Sequence, residues 1–435
     1  MSNDREIFNN QNAVVKVFDD DDSQAPPGSQ APPGNRRSGI FGRVKNLFSP
    51  LRHPEKRKER LIEGAKTGNI KMVKQALDDG ADINKSRNND GVTPLFIASQ
   101  QGHLEVAQAL LARGAPVDAA RIDGVTPLFI ASLKGHLKIV QALLARGAAI
   151  DAADNYGYTP LYVASQEGHL EVAQALLERG AAVDAAMNKG ATPLFIASQK
   201  GRLEVVLELL ARGATVDATN NRGTTPLYTA CDAGHLEVAQ ALLERGAAVD
   251  TANNRGATPL LIASEQGHVE VVRQLLARGA AVDAAANDGV TPLFIASQNG
   301  HLEVAQALLE RGAAVDATSN RGTTPLLIAS QNGHLDVVRE LLARGAAVDT
   351  ARKDGATPLF IASEQGHLEV VRLLLERGAK VSQNSLKVAR EYPQIKALLE
   401  KGLPAPTIGG RRRRYTHTKR TKRKSNTRKN RRSYV

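Results

Sequence analysis

Cys231 and His235 stand four residues apart with Asp232 beside the cysteine, the residue types of a thiol nucleophile and its base. Both belong to larger series. A histidine follows glycine at 103, 136, 169, 235, 268, 301, 334 and 367, and Cys231 occupies a position where eight equivalent segments carry serine. Residues shared so widely describe a scaffold, so the pair reads as a chance substitution and not as a catalytic couple. The histidine row does not suit a metal either. Packed helices lie roughly 8–10 Å apart, whereas ligands must converge to about 2 Å from one ion. The aspartate row from Asp118 to Asp349 is expected to close turns through its own backbone. Nine arginines from Arg113 to Arg377 are expected to answer the negative end of their own helix, with a binding stripe as the alternative. No phosphate-cradling glycine loop and no metal-spaced Cys/His cluster occurs. The sequence predicts no catalytic residue, no cofactor and no metal, and favours binding over enzyme chemistry.

What positions these rows is a period. Thr-Pro-Leu begins at 93, 126, 159, 192, 225, 258, 291, 324 and 357, nine times at intervals of 33. A drift-free period of this length means one supersecondary unit stacked many times. In the unit from Asp123 to Asp151, Thr126 is a candidate N-cap, and Pro127 sits where a missing N–H does no harm. Leu128, Ile130 and Ala131 give a short helix that Lys134-Gly135 stops. A second helix starts near His136 and sets Leu137, Val140, Leu143 and Leu144 on one apolar face. Gly147 follows as a left-handed cap, and Asp, Asn and Gly residues make an extended finger up to Gly157. Neither helix can cover its apolar face without a neighbouring unit. The fold class is therefore an all-α repeat solenoid of helix–turn–helix units.

The pattern D-G-x-T-P-L-F-I-A-S-x-x-G-H-L-E-V followed by A-L-L-A-R-G-A-x-V-D resembles the ankyrin repeat, from about Asp90 to Val381. The resemblance implies a stack of helix pairs with β-turn fingers, and a partner protein held on the concave face by fingertips and first helices. Two departures stand out. The family's usual histidine after Thr-Pro-Leu is replaced by Phe96, Phe129, Tyr162, Phe195, Tyr228, Leu261, Phe294, Leu327 and Phe360, which exchanges a polar link for apolar packing. Arg202 replaces the histidine of one Gly-His pair.

Residues 1–60 read as a disordered region. It holds an acidic run (Asp19 to Asp22), Ser-Gln-Ala-Pro-Pro-Gly twice, and a short basic amphipathic segment. That segment, residues 36–52, carries Ile40, Phe41, Val44, Leu47, Phe48 and Leu51 among five cations. It reads as packing on the N-terminal cap, with a partner's groove or an anionic membrane surface as the alternative. Residues 61–89 form a worn capping repeat, 90–384 the nine repeats, and 385–403 a C-terminal cap with Leu386, Val388, Ile395 and Leu399.

Residues 404–435 are a disordered basic tail. The last 27 residues hold 13 Lys/Arg and no acid, leaving 44 basic against 45 acidic residues elsewhere, so the net charge of +12 belongs to the tail. Arg411, Arg412, Arg413, Arg414, Lys419, Arg420, Lys422, Arg423 and Lys424 read as a signal for a nuclear import adaptor or as a polyanion contact that includes nucleic acid, with an inert solubilising tail as the alternative. Gly-Gly followed by basic residues is also similar to the tails of large DNA virus proteins. One cysteine excludes an internal disulfide, and neither a leader-like segment nor a membrane-length apolar run occurs, so an intracellular chain, nuclear or cytoplasmic (of the host cell if viral), is expected.

Comparing the nine copies separates scaffold from free positions. Variation collects at the fingertips and at first-helix ends such as Leu133-Lys134. The candidate partner-binding residues are Ile122, Asp123, Asn155, Tyr156, Tyr158, Asn188, Lys189, Asn221, Arg222, Asn254, Arg255, Asn287, Asp288, Asn320 and Arg321, with Ile122, Tyr156, Tyr158 and Tyr162 as the best aromatic or apolar anchors. The chain is expected to be a monomeric adaptor that binds another protein. The rival reading is a nucleic-acid-associated protein acting mainly through its tail.

Overall fold

A computed structural model describes residues 54–84 and 90–402; the acidic run, segment 36–52 and the basic tail lie outside the described residues. Among the described residues there are 22 α-helices and one 3-10 helix, and no β-strand. Each first helix starts the same way. The hydroxyl of Thr126 accepts the Phe129 N–H at 3.1 Å, with Pro127 at the first helical position, and the other eight threonines of the row repeat this cap. Such a cap contributes about 1 kcal/mol. Helix Pro127–Leu133 is apolar on every side because it is covered on every side, and all seven of its residues are buried. Helix Leu137–Ala145 buries only Ile139, Val140 and Leu143, and its other face meets solvent.

First helices pack on one another and on their own second helices, and neighbouring second helices pack too. The result is one continuous apolar core from Leu61 to Leu399. Fully burying one of its leucines is worth about 1.5–3 kcal/mol, so each repeat is held chiefly by its neighbours. Of the replacements after Thr-Pro-Leu, Phe96, Phe129 and Tyr162 are fully buried, Tyr228 packs against this core, and Leu261 and Phe294 form an apolar cluster of their own with Val290 and Ile295.

The histidine row is a chain of links between repeats. His136 Nε2 lies 3.1 Å from the carbonyl of Gln100, and His103, His169, His235, His268, His301, His334 and His367 make the same bond to the preceding repeat. A carbonyl only accepts, so Nε2 carries the proton. The glycine before each histidine has two reasons to be glycine. At Gly102 φ is +81°, and a Cβ there would fall 2.8 Å from the His136 ring. At the end of the array Tyr392 lies against Gly366, as each histidine of the row lies against the glycine of the repeat before it.

The aspartate row differs from expectation. Asp118 does not close its own turn; its Oδ1 accepts the Ala149 N–H of the following repeat at 3.0 Å. Asp151, Asp184, Asp217, Asp250, Asp283, Asp316 and Asp349 do likewise, 31 residues ahead. The neighbour's N–H follows a helix end and has no helical acceptor, so the carboxylate satisfies it. The arginines also reach backwards. Arg146 and Arg311 donate to Leu111 and Leu276 carbonyls in the preceding repeat, and Arg113 pairs with Asp78, whereas Arg212 and Arg344 bond a glutamate of their own helix.

The ends depart from the boundaries read in the sequence. The first helix runs Pro54–Thr67 and begins ahead of residue 61. Its opening turns are almost wholly charged and carry no apolar spacing before Leu61, so they read as linker. Arg57 fixes this extension by donating to the Asp79 carbonyl at 2.7 Å. The C-terminal cap comprises Gln383–Val388, Ala389–Glu391 and Pro393–Gly402, burying Ala389, Ile395 and Leu399.

Candidate partner-binding face

Each finger is built on a single left-handed glycine and hydrogen-bonded to the finger before it. Asn155 N–H donates to Asp123 O at 2.9 Å, and Asn188, Asn221, Asn254, Asn287 and Asn320 repeat the bond one repeat further on. The asparagine side chains run in parallel. Nδ2 of Asn155, Asn188, Asn254, Asn287 and Asn320 donates to the carbonyl 33 residues earlier, at 3.0–3.3 Å. Six candidate recognition residues thus belong to a ladder that holds the fingers side by side. A Cβ on Gly157 would meet Asn188 Oδ1 at 2.6 Å, so the tight finger glycine and the ladder require each other.

The ladder leaves the residue after each asparagine at the tip. In chain order the tips are Asp90, Asp123, Tyr156, Lys189, Arg222, Arg255, Asp288, Arg321 and Asp354. Two ladder positions are not asparagine: Ile122 and Lys353. Ile122 is 75% exposed and Tyr156 is 62% exposed, the two most exposed large apolar side chains among the described residues. They sit on adjacent fingers, since Asn155 Nδ2 bonds the Ile122 carbonyl. Arg121 pairs with Asp123 at 3.2 Å, and Arg352 pairs with Asp354 at the far end.

Beneath Tyr156 the aromatic surface continues inward. Its ring lies 6.2 Å from that of Tyr158, which lies 4.8 Å from that of Tyr162. Tyr162, expected as an anchor, is fully buried in the first helix of its repeat and offers no surface to a partner. Tyr158 is half-buried and stands where other repeats place Val125, Ala191, Thr224 or Val290. Burial pushes the Tyr158 and Tyr162 hydroxyls above their ordinary range. The turn under Tyr156 is shaped by Asp154, whose Oδ1 accepts the N–H groups of Tyr156 and Tyr158, each at 2.9 Å. Burial raises the Asp154 carboxyl, and Asp123 adds to the rise, against the backbone donors that lower it.

The first-helix ends contribute less than their variability implies. Leu133 is buried, and only Lys134 of that pair is exposed. Asp232 is partly buried and accepts from Gln266 at 3.1 Å. Cys231 and His235 do not form a catalytic couple. The thiol is fully buried, and Nε2 of His235 is bonded to the Gln199 carbonyl at 3.1 Å. Arg411 to Lys424 and residues 36–52 lie outside the described residues.

Helix pairs repeated every 33 residues, joined by bonded fingers, define a repeat-solenoid protein whose fingertip side chains vary more than the residues that link its repeats. Comparison with known proteins agrees: the sequence profile "Ankyrin repeats (3 copies)" matches residues 44–121, 114–187, 181–253, 246–319 and 312–385. The chain belongs to the ankyrin-repeat family. It is similar to protein phosphatase 1 regulatory subunit 27 of Mus musculus, 37% identical over 82 residues, covering 19% of this chain and 52% of the relative. It is also similar to ankyrin repeat and SAM domain-containing protein 6, at 35% over 69 residues in Mus musculus (16% of this chain, 8% of the relative) and 33% over 85 residues in Danio rerio (19% and 12%). The matches span about half or less of these relatives. No helix among the described residues is long and apolar enough to cross a membrane.

Proposed function

We propose that this chain is a non-catalytic scaffold that holds a partner protein on its fingertips, with the fingers of the first repeats providing the strongest contact. The observation that carries this reading is the exposure of Ile122 and Tyr156 on adjacent fingers, where most other large apolar side chains among the described residues are buried or partly buried. Exposed aromatic and aliphatic groups on a rigid frame are typical interface anchors. A relative named as a regulatory subunit of a phosphatase fits a binding role of this kind. The asparagines are assigned to the frame; Ile122, Asp123, Tyr156, Tyr158, Lys189, Arg222, Arg255, Asp288 and Arg321 are assigned to recognition.

The test is to immobilise the full chain and its Ile122→Asn/Tyr156→Arg/Lys189→Ala variant, and to compare the bound proteins quantitatively. Loss of a partner from the variant supports the reading, and an identical set in identical amounts removes it.

The 13 cations of the last 27 residues support a second role, in nuclear targeting or attachment to a polyanion. Localising the tagged chain with and without residues 411–435 tests it, and nuclear exclusion of the intact chain would end the import reading.

A further inference from the structure

The tips of the first six fingers are ordered by charge. Asp90 comes first, Ile122 and Asp123 share the next finger, Tyr156 follows, and then Lys189, Arg222 and Arg255 stand on three successive fingers. Adjacent fingers are hydrogen-bonded to each other, so this order is also an order in space. Ile122 interrupts the asparagine ladder, and Tyr158 places a ring where other repeats carry a small or β-branched residue. Ile122 and Tyr156 lie on adjacent fingers between the acidic and basic tips, and Tyr158 links the exposed Tyr156 ring to the buried Tyr162 ring.

We infer that this boundary receives one apolar side chain of an extended segment of a partner protein, flanked by a basic residue toward Asp90, since Asp123 is already paired with Arg121, and by acidic residues toward Lys189. The inference rests on the scaffold reading above and specifies the chemistry of the partner. Repeats advance by roughly 10 Å, and an extended chain by about 3.3 Å per residue, so a partner passes one finger in about three residues. Its acidic residues therefore fall about three and six positions from the anchor on one side, and a basic residue about three positions away on the other. Charge order of this kind selects partner and register more than it adds raw affinity.

The other repeats supply fold-compatible substitutions. Asparagine occupies the Ile122 position in Asn155, Asn188 and Asn221, arginine occupies the Tyr156 position in Arg222 and Arg255, and valine the Tyr158 position in Val125. The experiment pans a phage-displayed library of short random peptides on the full-length chain. Selected sequences are then measured by fluorescence anisotropy against wild type, Ile122→Asn, Tyr156→Arg and Tyr158→Val, with circular dichroism verifying the fold of each variant. The expected result is a consensus of basic, apolar and acidic positions in that order along one chain direction, binding roughly tenfold more weakly to Ile122→Asn and Tyr156→Arg. Selected peptides without charge order, binding unchanged by those variants, or no enrichment at all would overturn the inference. Peptides that depend on other fingertips but not on Ile122 or Tyr156 would overturn it while leaving the scaffold reading intact. Peptides insensitive to every fingertip variant would remove both.

Discussion

Arg202 Nε donates to the carbonyl of Gln166 at 3.1 Å, across the same 36-residue interval that His136 and the six later histidines of the row span. Its side chain also lies against Gly168, as a histidine lies against the glycine of the neighbouring junctions. The one exception to the Gly-His pattern thus preserves its function with a different donor. Arg202→His is expected to change stability by no more than about 0.5 kcal/mol, and Arg202→Ala to lower it by about 1 kcal/mol through loss of the bond. Urea denaturation of both variants checks the pair, and an unaffected alanine variant would mean the link contributes nothing.

Asp184 and Asp217 make the same junction unequally. Asp217 accepts only the Ala248 N–H, whereas Asp184 accepts both the N–H and the hydroxyl of Thr215, the latter at 2.7 Å. Asp217→Ala is expected to cost about 1 kcal/mol and Asp184→Ala about 2 kcal/mol. Because a stack is held by nearest-neighbour interfaces, hydrogen exchange should quicken at Thr215 or Ala248 and their adjoining repeats, and not throughout the array. A uniform increase would contradict local coupling.

The helices, their caps and their core are legible in the sequence because they follow from a period and from residues that act on their own neighbours in the chain, as Thr126, Pro127 and Gly147 do. The links between repeats are not. Asp118 has the composition of a turn residue, and only the fold shows that its carboxylate faces the N–H of Ala149. The fingertip asparagines resemble recognition residues because their neighbours vary. Their own recurrence at 155, 188, 221, 254, 287 and 320 is the signal of a structural role. Ile122 and Tyr156 are legible as departures from that recurrence, and the structure adds that both are exposed and adjacent.

Asp154 carries a charge that its site disfavours. Burial raises its folded pKa, so its carboxyl contributes stability below the unfolded value of 3.8 and loses that contribution as pH rises through the raised folded value. Asn220 and Asn253 occupy the same position and accept the same pair of N–H groups without a charge. Asp154→Asn is therefore expected to raise the melting temperature at pH 7, by an amount that shrinks as pH falls below the folded pKa. Melting curves across pH 3 to 7 check this, and a variant less stable than wild type at pH 7 would show that the carboxylate itself is needed.

Cys231 is a core residue whose thiol titrates far above its ordinary value, first because burial excludes the thiolate and then because Asp232 is near. Below about pH 9 the thiol is protonated whether the chain is folded or not; above it only the unfolded chain ionises, so stability must fall as pH rises. Serine at this position removes that dependence. It is also expected to gain a partner, because six serines at the same place, Ser198 and Ser264 among them, donate to carbonyls four residues back at 2.7 Å, although Ser99 and Ser132 do not. Cys231→Ser is thus expected to fold normally and to lose less stability than wild type between pH 8 and pH 10. Thiol reagents should label the wild-type chain only through opening of the stack, at a rate that grows with urea. Rapid labelling of the native chain would mean that the fifth repeat opens far more readily than its packing implies.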